Sequence, residues 1–89
     1  YLAENIKNIC REKKFTEKQS ALISSYLVCG SGKMLAETGI APEKLKEMVT
    51  SPGGTTAAGL KVFEQKNFPR ILKQAVEKAE KRSRELSRT

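Results

Sequence analysis

A chain that otherwise has the periodicity of helices is interrupted by a run of turn-forming and hydroxyl residues, Ser51-Pro52-Gly53-Gly54-Thr55-Thr56. Glycine readily adopts positive φ and lets a ligand approach the backbone, and hydroxyl residues flank the pair on both sides. If a helix begins at Thr55 or Thr56, its first free amides and the positive end of its dipole face the Gly-Gly turn. This arrangement suits a carboxylate or a phosphate, and a purely structural turn between two helices fits the same residues.

On both sides of this turn, apolar residues recur at the spacing of amphipathic helices. Thr16 and Gln19 form a capping-box pattern that starts a second helix, and Gly39 supplies a glycine stop. The predicted helices cover about residues 1–13, 17–37, 42–49, 55–64 and 69–86, with fraying expected over Ser87-Arg88-Thr89. Apolar and polar residues do not alternate over any long stretch, so the predicted fold class is all-α.

The long second helix has a middle rich in small residues, Cys29-Gly30-Ser31-Gly32. A glycine inside a helix lowers its stability by about 1 kcal/mol relative to alanine, so something must offset that cost. We favour close approach of another helix here, with a ligand contact as the alternative.

Length and charge narrow the function classes. The chain has 89 residues and a net charge of +7, and we expect a single domain over residues 1–89. A monomer of this size buries only about 60–65% of its unfolded surface, which favours assembly with another copy. The basic surplus of the last helix is interleaved with Glu77, Glu80 and Glu85, as on a solvated helix face, so we expect no nucleic-acid partner. No apolar run approaches the roughly 20 residues that span a bilayer, and no membrane partner is expected.

Residue types exclude several kinds of catalysis. Histidine is absent, which excludes histidine-based catalysis and the usual zinc sites, and no metal site is expected. The glutamates are predicted on exposed helix faces without a convergent pair, which argues against an independent hydrolase. Cys10 and Cys29 are expected to be buried free thiols in a reducing, cytoplasmic setting. The first predicted helix already includes Tyr1 and has no capping residue before it. We therefore expect the chain to be a piece of a longer protein.

The chain resembles one protein family, and the resemblance covers essentially the whole chain. The run from Glu47 to Leu60, with Ser-Pro-Gly-Gly-Thr-Thr at its centre, resembles the signature of pyrroline-5-carboxylate reductase, which catalyses the last step of proline synthesis. Residues 30–39 and 42–45 are similar to the helix and connection that precede that signature, and residues 75–79 and 82–86 to the family's terminal helix. Lys66-Asn67-Phe68 stands where the family often has Gly-Gly-Phe, and Asn67 is expected to keep the left-handed turn. The family also commonly has a larger aliphatic residue where Ala57 stands.

The resemblance implies a C-terminal, all-helical dimerisation domain of about five helices, interleaved with a second copy. It implies a homodimer, alone or within a larger assembly of dimers, that takes a small-molecule substrate. NADPH or NADH would be bound mainly by an N-terminal Rossmann domain, of which this segment carries no part. The parent enzyme would reduce 1-pyrroline-5-carboxylate to L-proline, and the isolated segment would be inactive. The alternative is a stand-alone helical interaction module without catalysis.

The resemblance also assigns roles to the central turn. The Ser51 hydroxyl and the amides around Gly54, Thr55 and Thr56 would bind the substrate carboxylate. Glycine would be needed at Gly53 and Gly54 because a side chain there would block the carboxylate or the required φ. Thr56 would contribute to the same binding and act as the catalytic residue, with its hydroxyl near the ring nitrogen. Local capping of the helix is the alternative role for the hydroxyls.

Overall fold

The computed structural model describes residues 1–88, and all of its regular elements are α-helices. The helices are α1 (Leu2–Glu12), α2 (Glu17–Thr38), α3 (Pro42–Met48), α4 (Thr55–Gln65) and α5 (Phe68–Ser87). The all-α prediction is confirmed, and each predicted helix is found close to its predicted bounds. Of the residues expected to fray, Ser87 ends α5 and Thr89 lies outside the described residues.

The chain divides into two compact units, residues 1–46 and the part from Glu47 onward, with the boundary inside α3. In the first unit α1 packs against α2, and in the second α4 packs against α5. The candidate turn lies wholly in the second unit, between α3 and α4.

The turn between α1 and α2 is specified by backbone hydrogen bonds and a capping box. The Phe15 amide donates to the Cys10 carbonyl, and the Lys14 amide donates to the Arg11 carbonyl, both at a distance of 3.1 Å. These two hydrogen bonds form a Schellman motif at the end of α1. Lys14 occupies the left-handed position with φ of 76°, where glycine is the usual residue. Thr16 then accepts from the Gln19 amide, and the Gln19 side chain accepts from the Thr16 amide. The predicted capping box is therefore confirmed.

The most buried side chains of the α1–α2 hairpin are small polar ones. Within residues 1–88, Ser20 and Ser24 are buried and no hydrophobic side chain is. The two serines lie one turn apart on α2, and across the hairpin Lys7 and Arg11 pair with Glu17 at 3.5 and 3.1 Å. Ser24 Oγ donates to the Ala21 carbonyl at 3.0 Å, whereas Ser20 Oγ has no hydrogen-bond partner. Short side chains on the buried side of α2 allow α1 to approach it closely.

The predicted apolar stripes are present, but the chain alone does not cover them. Ile71, Leu72 and Val76 on α5 are each more than half exposed. The expectation of buried thiols is wrong for the single chain: both cysteines are free, but Cys29 is exposed and Cys10 is half-buried. The reason is that no described residue covers the face of α2 that carries Cys29.

The turn between α4 and α5 keeps its left-handed residue. Asn67 has φ of 57° and ψ of 47°, which confirms the expectation that asparagine replaces glycine there. Pro69 lies in the first turn of α5, and the rings of Phe63 and Phe68 meet across the connection with centroids 5.1 Å apart. This aromatic contact fixes the end of α4, the helix whose other end carries the candidate site.

Candidate substrate-binding turn

The residues before α4 form a hydrogen-bonded β-turn. The Gly54 amide donates to the Ser51 carbonyl at 2.9 Å, which closes the turn across Pro52 and Gly53. Proline at the second position and a glycine with φ of +72° at the third are the features of a type II turn. The sequence Ser-Pro-Gly-Gly thus supplies the residues that this type of turn prefers at its central positions.

The two glycines are required for different reasons. At Gly53 the backbone has positive φ, while an added Cβ would meet nothing within 4 Å. At Gly54 the φ of −82° is open to any residue, but an added Cβ would lie 2.9 Å from Ser51 Oγ and 3.1 Å from the Ser51 carbonyl oxygen. Gly53 therefore permits the chain to turn, and Gly54 permits the Ser51 side chain to lie against the start of α4.

Helix α4 begins at Thr55 with a free N-terminus. Gly54 is its N-cap residue and no side chain caps it. The Ala58 amide is the first to bond back to the cap, donating to the Gly54 carbonyl at 3.1 Å. The amides of Thr55, Thr56 and Ala57 therefore have no intrahelical acceptor, and the helix dipole adds partial positive charge at the same place. Such an end stabilises a bound anion.

The structure brings all the predicted site residues together within this one turn and the start of α4. Ser51 and Thr55 are exposed and Thr56 is half-buried. Within residues 1–88 the hydroxyl groups of these three residues make no hydrogen bond, which leaves them able to bind a ligand. The net charge of +7 also favours an anion over a cation.

One detail of the site goes beyond what the sequence predicts. The Gly54 amide is already engaged by the Ser51 carbonyl, so the free amides begin at Thr55 and extend to Ala57. Proline followed by glycine at the central positions of a turn is the signal from which the Ser51–Gly54 hydrogen bond could have been predicted. The backbone amide of Ala57 is therefore part of the candidate site.

Other kinds of site are not formed by the described residues. Among residues 1–88 no group of three or more His, Cys, Asp or Glu side chains is placed to hold a metal ion. The helices in that part of the chain include none that is long and apolar enough to cross a membrane.

Comparison with known proteins identifies the family. Residues 1–86 match the family model described as pyrroline-5-carboxylate reductase dimerisation. Pyrroline-5-carboxylate reductase 1 of Bacillus spizizenii is 40% identical over 87 residues, which are 98% of this chain and 29% of that protein. The reductase of Arabidopsis thaliana is 48% identical over 67 residues, covering 75% of this chain and 24% of its own length. That of Escherichia coli is 41% identical over 71 residues, covering 80% of this chain and 26% of its own.

The chain thus spans less than a third of the length of the curated relatives it matches. No solved structure matches it significantly. The match of the family model runs through all five helices and includes the turn that carries the candidate site. This chain belongs to the pyrroline-5-carboxylate reductase dimerisation family.

Proposed function

We propose that this chain is the substrate-binding and dimerisation part of a pyrroline-5-carboxylate reductase, an enzyme that reduces 1-pyrroline-5-carboxylate to L-proline. The relatives that carry this name support the proposal over nearly the whole chain. The observation that carries it is the uncapped start of α4, preceded by a turn whose glycines leave room for Ser51. This is a site for a small anion, and the proposed substrate is a small cyclic imine with one carboxylate.

In this proposal the carboxylate is held by the Ser51 hydroxyl and by the free amides of Thr55, Thr56 and Ala57. Hydrogen bonds to a charged group contribute about 1.5–3 kcal/mol each, so two or three of them suffice to hold a small anion. Gly53 and Gly54 act indirectly, because they shape the turn that places these donors.

Thr56 has a second task in the proposed mechanism. Its hydroxyl lies on the first turn of α4, is half-buried and has no partner within residues 1–88. In the proposal, with the carboxylate held at the helix end, this hydroxyl orients the ring nitrogen or gives it a proton. Its contribution is positioning the imine for reduction, which lowers the entropic part of the barrier.

The residues of this chain do not fit a dinucleotide. The sequence has no Gly-x-Gly-x-x-Gly motif, and the described residues include no strand on which such a motif could open a helix. In the proposal NADPH or NADH is bound by another part of the parent protein, and that part decides between the two. A cytoplasmic location belongs to the same proposal and is consistent with the free thiols.

A homodimer is the second half of the proposal. The chain exposes 7900 Å² of accessible surface. A folded monomer of 9.9 kDa is expected to expose about 5,200 Å², which leaves an excess of roughly 2,700 Å² per copy. Obligate homodimers bury amounts of this order. We propose that the helices of two copies interleave to cover the exposed apolar faces, and any larger assembly would be built from such dimers.

The catalytic part of the proposal is tested by substitution in the full-length protein. Thr56→Ala is expected to lower kcat/KM for the pyrroline by about ten-fold or more, a loss of about 1.4 kcal/mol of transition-state binding. Gln74→Ala on the polar face of α5, which is exposed, is the control and is expected to leave the kinetics unchanged. Equal kinetics for Thr56→Ala and the wild type would remove Thr56 from the site.

Carboxylate binding can be tested on the chain itself. The amide resonances of Thr55, Thr56 and Ala57 are expected to shift on titration with L-proline and not with prolinamide, which lacks the carboxylate. Equal shifts with both ligands would show that the helix end does not recognise the carboxylate.

A further inference from the structure

Helix α3 comes directly before the candidate turn and is the shortest helix of the described chain. It has seven residues, Pro42–Met48, and none of them is buried. Leu45 alone is half-buried. The helices that pack on each other are α1 with α2 and α4 with α5, and α3 belongs to neither pair. Helix α3 therefore receives little stabilisation from tertiary contacts.

The local signals in α3 are too few to hold it closed by themselves. Pro42 suits the first helical position, and the Leu45 amide donates to the Ala41 carbonyl at 3.0 Å. Starting a helix is unfavourable, and isolated helices shorter than about 12–15 residues are marginal in water. A segment with few buried apolar contacts and exposed backbone hydrogen bonds opens without unfolding of the whole chain. We therefore expect α3 to open and close while the packed helix pairs stay folded.

Two consecutive hydrogen-bonded turns connect the end of α3 to the candidate site. The Thr50 amide donates to the Glu47 carbonyl at 3.2 Å, and the Gly54 amide donates to the Ser51 carbonyl at 2.9 Å. Because Thr50 and Ser51 are neighbours, no residue lies between the two turns. The Ser51 backbone is thus fixed on one side by its own turn and on the other by the end of α3. When α3 opens, the second of these restraints is lost.

We propose that α3 is an ordering element of the substrate site, because only its closed form positions Ser51 to bind the carboxylate. The inference rests on the function proposed above and adds a conformational step to it. A ligand that binds only one of two states shifts the population toward that state. Carboxylate binding therefore closes α3, and the fraction of α3 that is closed beforehand sets the apparent affinity. Helix α3 acts on the ligand through Ser51 and is a positioning element.

Amide hydrogen exchange of the 89-residue chain, followed by nuclear magnetic resonance, tests the ordering. In the free chain the amides of Leu45 and Thr50 are expected to exchange within about ten-fold of the unprotected rate, and that of the buried Ser20 much more slowly. L-proline at ten times its dissociation constant is expected to slow exchange at Leu45 and Thr50 by about ten-fold. The Lys14 amide, at the exposed end of α1, is the control and is expected to keep its rate.

The same samples separate failure of this inference from failure of the proposed function. Binding of L-proline is measured by the shifts of the Thr55, Thr56 and Ala57 amide resonances. Shifts without slower exchange in α3 would overturn the ordering and leave the carboxylate site standing. Exchange at Leu45 in the free chain as slow as at Ser20 would overturn it as well. If the three resonances do not shift, the carboxylate site on which the inference rests is itself overturned.

A pair of substitutions at one exposed position of α3 supplies an independent measurement. Glu43→Gly and Glu43→Ala remove the same carboxylate, but glycine lowers the equilibrium constant of helix formation about five-fold relative to alanine. If α3 is closed about half of the time, the dissociation constant of L-proline is expected to be about three-fold higher for the glycine variant. Gln74→Gly and Gln74→Ala on exposed α5 are the control pair and are expected to bind L-proline equally. Equal dissociation constants for the two Glu43 variants would overturn the proposal.

Discussion

Replacing Gly54 by alanine should disturb the Ser51 side chain, whereas replacing Gly53 should strain the backbone. At position 54 the new Cβ would lie 2.9 Å from Ser51 Oγ and 3.1 Å from the Ser51 carbonyl oxygen. The hydroxyl can rotate away, at about 0.5–1.5 kcal/mol if it leaves its preferred rotamer. The carbonyl can give only slightly, because it accepts the Gly54 amide. At position 53, φ of +72° costs alanine about 1–2 kcal/mol although the space is empty.

These different causes predict different couplings to Ser51. Gly54→Ala is expected to destabilise the wild type more than the Ser51→Ala variant, by about 0.5–1 kcal/mol, because the variant has no hydroxyl to displace. Gly53→Ala is expected to cost about the same in both backgrounds, within roughly 0.3–0.5 kcal/mol.

The measurement is urea unfolding of the three single variants, the two double variants and the wild type, followed by far-ultraviolet circular dichroism. The chain concentration is held fixed because the stability of a dimer depends on it. A coupling of Gly53 to Ser51 as large as that of Gly54 would refute the assignment of separate roles. The assignment would also be refuted if Gly54→Ala lowered the free energy of unfolding by the same amount with and without the Ser51 hydroxyl.

Four further substitutions test the hairpin of α1 and α2 by the same unfolding measurement. Lys14→Gly is expected to stabilise the chain by about 0.5–1 kcal/mol, because the residue has φ of 76°, and a loss of stability would contradict the strain. Ser20→Ala is expected to stabilise by about 1 kcal/mol, because its buried hydroxyl is unpartnered, while Ser24→Ala is expected to gain less since its hydroxyl donates to Ala21. A loss of stability at Ser20 would show that its hydroxyl has a partner. Thr16→Ala should cost about 1 kcal/mol through the lost cap, and no cost would mean that the capping box is absent in solution.

Local sequence rules predicted the helices because several of their boundaries have their own chemical signal. Thr16 with Gln19 predicted the start of α2, and the turn glycines predicted the start of α4. Asn67 was expected to be left-handed and is. These features depend on a few neighbouring residues, so the rest of the fold does not have to be known to predict them.

The sequence did not predict correctly which side chains are buried in the single chain. Apolar periodicity shows which side of a helix avoids water, but it does not show which molecule covers that side. Cys29 was therefore expected to be buried and is exposed in the single chain. The buried serine pair was not predicted for a related reason: Ser20 and Ser24 look like surface residues until α1 is placed against them.

The candidate site was predictable in position and less so in detail. The run of turn and hydroxyl residues marked the place, and the helix start at Thr55 is where the anion-binding argument needs it. Which amides are free depends on the hydrogen bond between Gly54 and Ser51, which is a property of the folded turn. The substrate assigned to this place remains a prediction from the family, and the kinetics of Thr56→Ala are its test.

The central claim is that this chain completes its apolar core with a second copy, and sedimentation equilibrium of the 89-residue chain tests it most directly. The account predicts a particle of twice 9.9 kDa at micromolar concentration, with helicity lost as the dimer dissociates on dilution. A particle of 9.9 kDa that stays fully helical over the same range of concentration would contradict it.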